Sequence, residues 1–187
     1  MSSDFRGLEI GGYYKPHHSK YHQMDKKAGG YTQTVADASE TWPFPDNSFS
    51  VVYASHVVEH LGDDGARAFF NQAYRCLKYG GVLKVAMPDF RKICVEYLKA
   101  EDLEHVLGQD RIIAVIMGEN YDYLQHRSLW DRKKVTKALT QAGFKNIVFQ
   151  DVNPRYLEDD FLAVFGRAPY ETRVHYELYV EACKEVV

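Results

Sequence analysis

Two histidines and a set of strand-end acids and glycines are the residues best suited to chemistry. His56 and His126 are the candidate proton acceptors, because imidazole is the side chain that titrates near neutral pH. His56 opens the run His56-Val57-Val58-Glu59-His60, which has the H-x-x-E-H spacing of one class of zinc peptidase. Two histidines four apart on a helix share a zinc in such proteins, with the glutamate as general base. Here the run follows a β-branched strand pattern directly, so His56 falls at a strand-to-helix junction and no third ligand is identifiable. The expectation is therefore no metal. Glu59 and His60 read as helix-start residues, with the acid favoured at the positive end of the helix dipole.

A second group shares one placement. Gly11 and Gly12, Asp25, Asp37 and Ala38, Ser55 and His56, and Pro88 and Asp89 each follow an apolar run. Glycines after a first strand let a ligand approach the backbone closely. A carboxylate after a second strand suits the two hydroxyls of a ribose, and one after a third suits an exocyclic amine. Acids and glycines are ordinary at strand ends, but four such placements in succession point to a nucleoside. A dinucleotide fits less well. The chain has no GxGxxG, and a pyrophosphate wants a helix N-terminus directly after the glycine turn. The stretch from Tyr13 to Lys20, with Pro16 in it, leaves little room for that helix.

The elements that must carry these groups alternate. Leu8 to Ile10, Tyr21 to Asp25, Thr32 to Asp37, Ser50 to Ala54 and Val82 to Met87 read as strands. Lys145 to Gln150 and Tyr176 to Ala182 are the last two. One helix has Ala66, Phe69, Phe70, Ala73, Tyr74 and Leu77 at helical spacing, with Asp63 or Asp64 as its cap and Gly80-Gly81 as its stop. A second starts near Phe90. A third runs from the cap Asp131 to Ala142, where Gly143 ends it. Alternating strands and helices imply βαβ units and a mainly parallel sheet. Ligands of such sheets sit beyond the carboxyl ends of the strands, which is where the second group lies.

The composition narrows the function. A chain of 187 residues suits one domain. Its net charge of -3 and lack of basic runs argue against a general nucleic-acid binder or an anionic membrane partner. No apolar stretch approaches the length of a membrane span, and no leader pattern opens the chain. The three cysteines, Cys76, Cys94 and Cys183, form no CxxC pair, which fits a reducing cytoplasm.

The run Leu8-Glu9-Ile10-Gly11-Gly12 resembles motif I of class I S-adenosylmethionine-dependent methyltransferases. Trp42 to Leu61, reading WPFPDNSFSVVYASHVVEHL, is similar to a signature of the type 11 methyltransferases, and Arg75 to Gly81 is similar to their RVLKPGG. The resemblance implies a Rossmann-like three-layer sandwich with a seven-stranded, mainly parallel sheet whose last strand is antiparallel. It implies that Gly11 and Gly12 lie against the amino-acid end of the cofactor, with Glu9 of the same motif also binding it. Asp25 would take the ribose, Asp37 and Ala38 would flank the adenine, and Ser55 and His56 would line the methyl-donor end. Tyr13 stands where the family has a second glycine, and Ser50 where it has an aspartate. Tyr13 or Tyr14 would face the sulfonium with an aromatic ring.

The expectation is a cytoplasmic methyltransferase of one domain, residues 1–187, with S-adenosylmethionine as cofactor and a small-molecule acceptor. Insertions at about 101–130 and 151–173 would build the acceptor side. The first contains Tyr121, Tyr123, His126 and Trp130, and the second Arg155 and Tyr156. Long irregular segments in compact domains are often binding loops. Two other readings stand beside this one. A protein that binds the cofactor without turnover would suit Tyr13 at a glycine position, and a zinc peptidase would use His56, Glu59 and His60.

Overall fold

A computed structural model describes residues 6–12, 20–99, 116–117, 125–150 and 177–185. Seven strands form one sheet: β1 Gly7–Ile10, β2 Tyr21–Asp25, β3 Thr34–Val35, β4 Phe49–Ser55, β5 Leu77–Pro88, β6 Lys145–Gln150 and β7 Glu177–Cys183. Their order is β3-β2-β1-β4-β5-β7-β6. Strands β1 to β5 pair in parallel, while β7 runs antiparallel to both β5 and β6. The expected Rossmann-like sheet with an antiparallel last strand is therefore present. The strand order reverses between β1 and β4, the switch point where parallel sheets open a crevice.

Strand β4 shows why this sequence takes a central place. Phe49, Val51, Val52, Tyr53 and Ala54 are all buried, as a strand covered on both faces requires. Helix α1, Gly62–Cys76, buries Ala66, Phe69, Phe70, Ala73 and Cys76. Phe69 meets Trp42 edge-on at 5.4 Å, and Phe70 meets Trp130 at 5.9 Å. Helix α2 spans Phe90–Lys99. Helix α3, Arg132–Gln141, starts at the expected cap, since the Asp131 side chain accepts from the Lys134 amide at 2.7 Å. It buries Val135 and Leu139. No helix among the described residues is long and apolar enough to cross a membrane.

The ends of α1 differ from the sequence reading. Neither Asp63 nor Asp64 caps it; the N-cap is Leu61, with no side-chain hydrogen bond. A one-turn 3-10 helix, Val58–His60, runs straight into α1 and puts both acids inside its first turn. There Asp63 pairs with Lys134 at 2.6 Å and ties α1 to α3. At the other end α1 stops at Cys76, before Gly80-Gly81. Leu77 is already extended and pairs with Phe49. The last carbonyls of α1 accept from the 46–48 turn, Arg75 O from Asn47 N at 3.0 Å and Cys76 O from Ser48 N at 2.8 Å, and Lys184 Nζ adds bonds to Leu77 O at 2.9 Å and Arg75 O at 3.5 Å. Backbone amides of that turn, with Lys184 beside them, thus do what a glycine cap would otherwise do. Gly80 and Gly81 fall within β5. Strand β3 is also shorter than Thr32 to Asp37, since only Thr34 and Val35 join the ladder.

Candidate active site

The carboxyl ends of the parallel strands bring most of the singled-out residues to one edge. After β1 the chain turns at Gly11, which has φ +85 and is exposed. A side chain there would be strained and would meet Val57 Cγ2 at 2.7 Å. Gly12 is buried, and an added Cβ would lie 1.8 Å from Gln23 Oε1. Glu9 is also fully buried and accepts from Gln23 Nε2 at 3.0 Å, so it lies under the turn rather than on its surface.

Asp25 closes β2 half-exposed, with Oδ1 accepting from the Lys27 amide at 2.8 Å. Asp37, just past β3, is exposed. Its Oδ1 accepts from both the amide and the hydroxyl of Ser39, at 2.8 and 2.6 Å. The Ser39 hydroxyl bond is the chief reason this carboxyl sits below the usual range. Ala38 is buried, and its carbonyl accepts from Trp42 Nε1 at 3.1 Å. Ser55 ends β4 half-exposed. Tyr13 and Tyr14 lie outside the described residues, as do Tyr121, Tyr123, Arg155, Tyr156 and the whole 151–173 insertion.

His56 follows Ser55 with φ +54, a left-handed backbone that non-glycine residues rarely adopt. Its amide still bonds to Ala86 O at 2.9 Å. The turn sets the ring between two acids. Nδ1 lies 3.1 Å from Glu59 Oε1, and Nε2 lies 3.1 Å from Glu177 Oε1. Carboxylates only accept, so the ring donates from both nitrogens and is an imidazolium. Burial pulls its pKa down, but the bonds to Glu177 and Glu59 outweigh that and carry it up to about 10. A ring whose two nitrogens both face carboxylates is favoured in its protonated form, which weighs against the proton-acceptor role expected of it. His56 is a fixed cation that organises two carboxylates. Burial raises the pKa of Glu59, yet the His56 bond and charge and the nearby His60 hold it below the ordinary value.

His126 arrives on the other side of Glu59. Its segment is pinned to the 3-10 turn, since Arg127 N and Ser128 N both donate to Glu59 O, at 2.8 and 3.1 Å. The His126 ring stands edge-on to His60, 4.9 Å between centroids. Nearby, Trp130 Nε1 donates to Ser128 Oγ at 2.7 Å, and Phe90 N donates to Trp130 O at 2.8 Å. Glu59, Pro88, Phe90, Ile93, His126 and Trp130 line a small recess there. The edge of the sheet thus has a row of strand-end residues along β3, β2, β1 and β4, and a separate recess at the end of β5.

Sequence reasoning missed Glu177 and the true position of Glu59. Glu177 reads as an ordinary first residue of a strand. The only trace is an acid at the head of the apolar run Glu177-Leu178-Tyr179-Val180, where it is nevertheless buried.

Residues 14–85 match the protein family described as "Methyltransferase domain". The chain is 28% identical over 150 residues to a phosphoethanolamine N-methyltransferase of Triticum aestivum, an alignment covering 73% of this chain and 25% of the relative. The chain therefore spans about a quarter of the length of that relative. Among solved structures, it resembles a possible histamine N-methyltransferase of Thermotoga maritima with a TM-score of 0.58 and 16% identity, covering 96% of this chain and 82% of the other. It also resembles Haemonchus contortus phosphoethanolamine N-methyltransferase 2, solved with S-adenosyl-L-methionine. That likeness has a TM-score of 0.52 and 16% identity, and covers 100% of this chain and 50% of the other.

Proposed function

We propose that this chain, which carries a class I methyltransferase domain of the type 11 kind, transfers a methyl group from S-adenosylmethionine to a small-molecule acceptor. The observation that carries the reading is the row at the switch point. The Gly11 turn, the Asp25 carboxylate, the Asp37-Ala38 corner and Ser55 end four neighbouring parallel strands in spatial order. Beside that row lies a separate recess that includes His126.

The residues present fit the cofactor. Gly11 has a backbone conformation that favours glycine, and it is open to solvent. Asp25 keeps a second carboxylate oxygen beyond the one used in its turn, which suits ribose hydroxyls. Asp37 is held ionised and exposed, which suits an amine donor. The stretch from Tyr13 to Lys20, with Pro16 in it, leaves little room in the sequence for a phosphate-binding helix, and a cofactor without phosphate needs none. When bound, S-adenosylmethionine supplies a methyl group on a sulfonium.

The chain's own contribution is chiefly alignment. Holding two reactants in line is worth roughly 7–11 kcal/mol at its upper limit. His56 keeps Glu59 ionised and oriented between the two halves of the site. His126 acts on the acceptor side. Amines head the acceptor classes to test, because the wheat relative is named for N-methylation of phosphoethanolamine; small hydroxyl compounds come next.

The test is direct. S-adenosylmethionine or its demethylated product should bind with micromolar affinity and raise the melting temperature. A ligand at about 100 times its dissociation constant adds roughly 2.7 kcal/mol. Screening small amines and hydroxyl metabolites for release of the demethylated product should then identify an acceptor. A folded sample that gains no stability from either compound at millimolar concentration overturns the proposal. Binding without turnover on any acceptor reduces it to cofactor binding alone.

A further inference from the structure

Glu59, His60 and His126 come together from two parts of the chain. Each offers one ligand atom, and these atoms all lie within 4.8 Å of one another. Glu59 is 1% exposed, and the two histidines are half-buried. The Glu59 Oε1 atom is occupied by His56, while Oε2 is buried with no hydrogen-bond partner among the described residues. A buried carboxylate oxygen left unpaired is costly. Something that carries positive charge or a proton is needed to offset it.

The surroundings favour a metal over a bare proton. His60 Nδ1 lies 3.1 Å from the Gln125 carbonyl, which only accepts, so Nδ1 is the donor there and Nε2 is the ring nitrogen left to face a ligand. A histidine that donates one ring nitrogen to a carbonyl and presents the other is the usual arrangement behind a metal ligand. His56 does the same for Glu59 by fixing its carboxylate from behind. Of the two acids on His56, Glu59 is the one that meets the two imidazoles, with its Oε2 on no other partner among the described residues.

We propose that Glu59, His60 and His126 form a binding site for a divalent first-row transition cation on the recess side of the sheet edge. Two imidazoles and one carboxylate suit zinc, iron, cobalt or manganese better than magnesium or calcium. Metal–nitrogen bonds of about 2.0–2.1 Å put the ligand atoms of such a site roughly 3.0–3.4 Å apart. Closure therefore asks the ligand atoms to approach one another by up to roughly 1.4–1.8 Å. Three protein ligands leave coordination positions open, as in catalytic rather than structural sites. An oxygen ligand, either water or an oxygen of the acceptor, would fill them. This trio is not the His56–His60 pair of the H-x-x-E-H spacing, because His56 is turned away and held by its two acids.

The site does not depend on methyl transfer, so it is tested without cofactor or acceptor. Protein purified without a metal-affinity tag and stripped with chelator is titrated with zinc by calorimetry. One zinc per chain with micromolar or tighter affinity is expected, together with a higher melting temperature. His60→Ala and His126→Ala should each weaken binding at least tenfold, while the metal-free variants keep the wild-type circular dichroism. If either variant fails to fold, imidazole nitrogen resonances of the wild type serve instead. Zinc should shift those of His60 and His126 and leave His22, which is bonded to Thr34, in place. The proposal is overturned by no binding at 100-micromolar zinc, by affinity unchanged in both variants, or by shifts confined to other histidines.

Discussion

His56 Nε2 lies 3.1 Å from Glu177 Oε1, across 121 positions of sequence. The pair joins the end of β4 to the start of β7, and with Glu59 it makes His56 a cation whose pKa is about 10.

This pair sets a pH dependence of stability. A folded-state pKa raised above the unfolded value of 6.5 gives a stabilising contribution that is complete below about 6.5 and lost as pH rises through about 10. Urea denaturation of chelator-treated protein should show stability falling between pH 7 and 10. His56→Gln should start less stable and have a flatter profile over that range. Equal slopes for the two proteins would mean that the ring is not held as an imidazolium.

The glycine turn makes a second prediction. Gly11 has φ +85, and a methyl group there meets Val57 at 2.7 Å. A left-handed residue with a Cβ costs roughly 1–2 kcal/mol before any clash. For a chain of this size that is about 2–8 °C in melting temperature. Gly11→Ala should therefore melt lower and bind S-adenosylmethionine more weakly. A variant with wild-type melting and affinity would show that the turn adapts and does not need glycine.

Most of the architecture is legible in the sequence for identifiable reasons. Strand β4 announces itself through Val51, Val52 and Tyr53, and α3 through Asp131 and its buried pair Val135 and Leu139. The stop of α1 is not legible. Its last carbonyls are met by the amides of Asn47 and Ser48 and by Lys184, more than a hundred residues away, rather than by a turn at Gly80-Gly81. The strand-end residues were found because they follow apolar runs. The histidines were found by type, but their roles depend on tertiary contacts. The H-x-x-E-H spacing suggests that His56 and His60 act together. Instead the backbone of His56 turns at φ +54 and gives its ring to Glu177, while His60 meets His126. No local pattern encodes either partner.

Asp25 carries a prediction about the cofactor. Its carboxylate ends β2 half-exposed, where ribose hydroxyls are expected. Hydrogen bonds to a charged group are worth about 1.5–3 kcal/mol. Asp25→Ala should weaken S-adenosylmethionine binding by roughly ten- to 150-fold and leave the protein folded. Its one bond in the described structure, from the Lys27 amide, closes a local turn. Calorimetry on the two proteins decides the matter, and equal affinities would make Asp25 a turn residue only.

The last prediction separates the acceptor side from the cofactor side. His126 lies next to His60 and lines the recess with Glu59, Phe90 and Trp130, at the end of β5. The row proposed for the nucleoside runs the other way, from β4 to β3. A residue acting on the acceptor or its proton lowers turnover while leaving cofactor affinity nearly unchanged. His126→Ala should therefore depress kcat at least a hundredfold, as removal of a positioned proton acceptor does, with S-adenosylmethionine binding within about twofold of wild type. If His126 acts through a bound cation, chelator should lower wild-type turnover towards that of the variant, and added zinc or manganese should restore the wild type alone. If it acts as a bare base, chelator should change nothing, and the pH profile of the wild type should lose a limb in the variant. Intact turnover in His126→Ala would make the segment a structural connector, and lost cofactor binding would move it to the other half of the site.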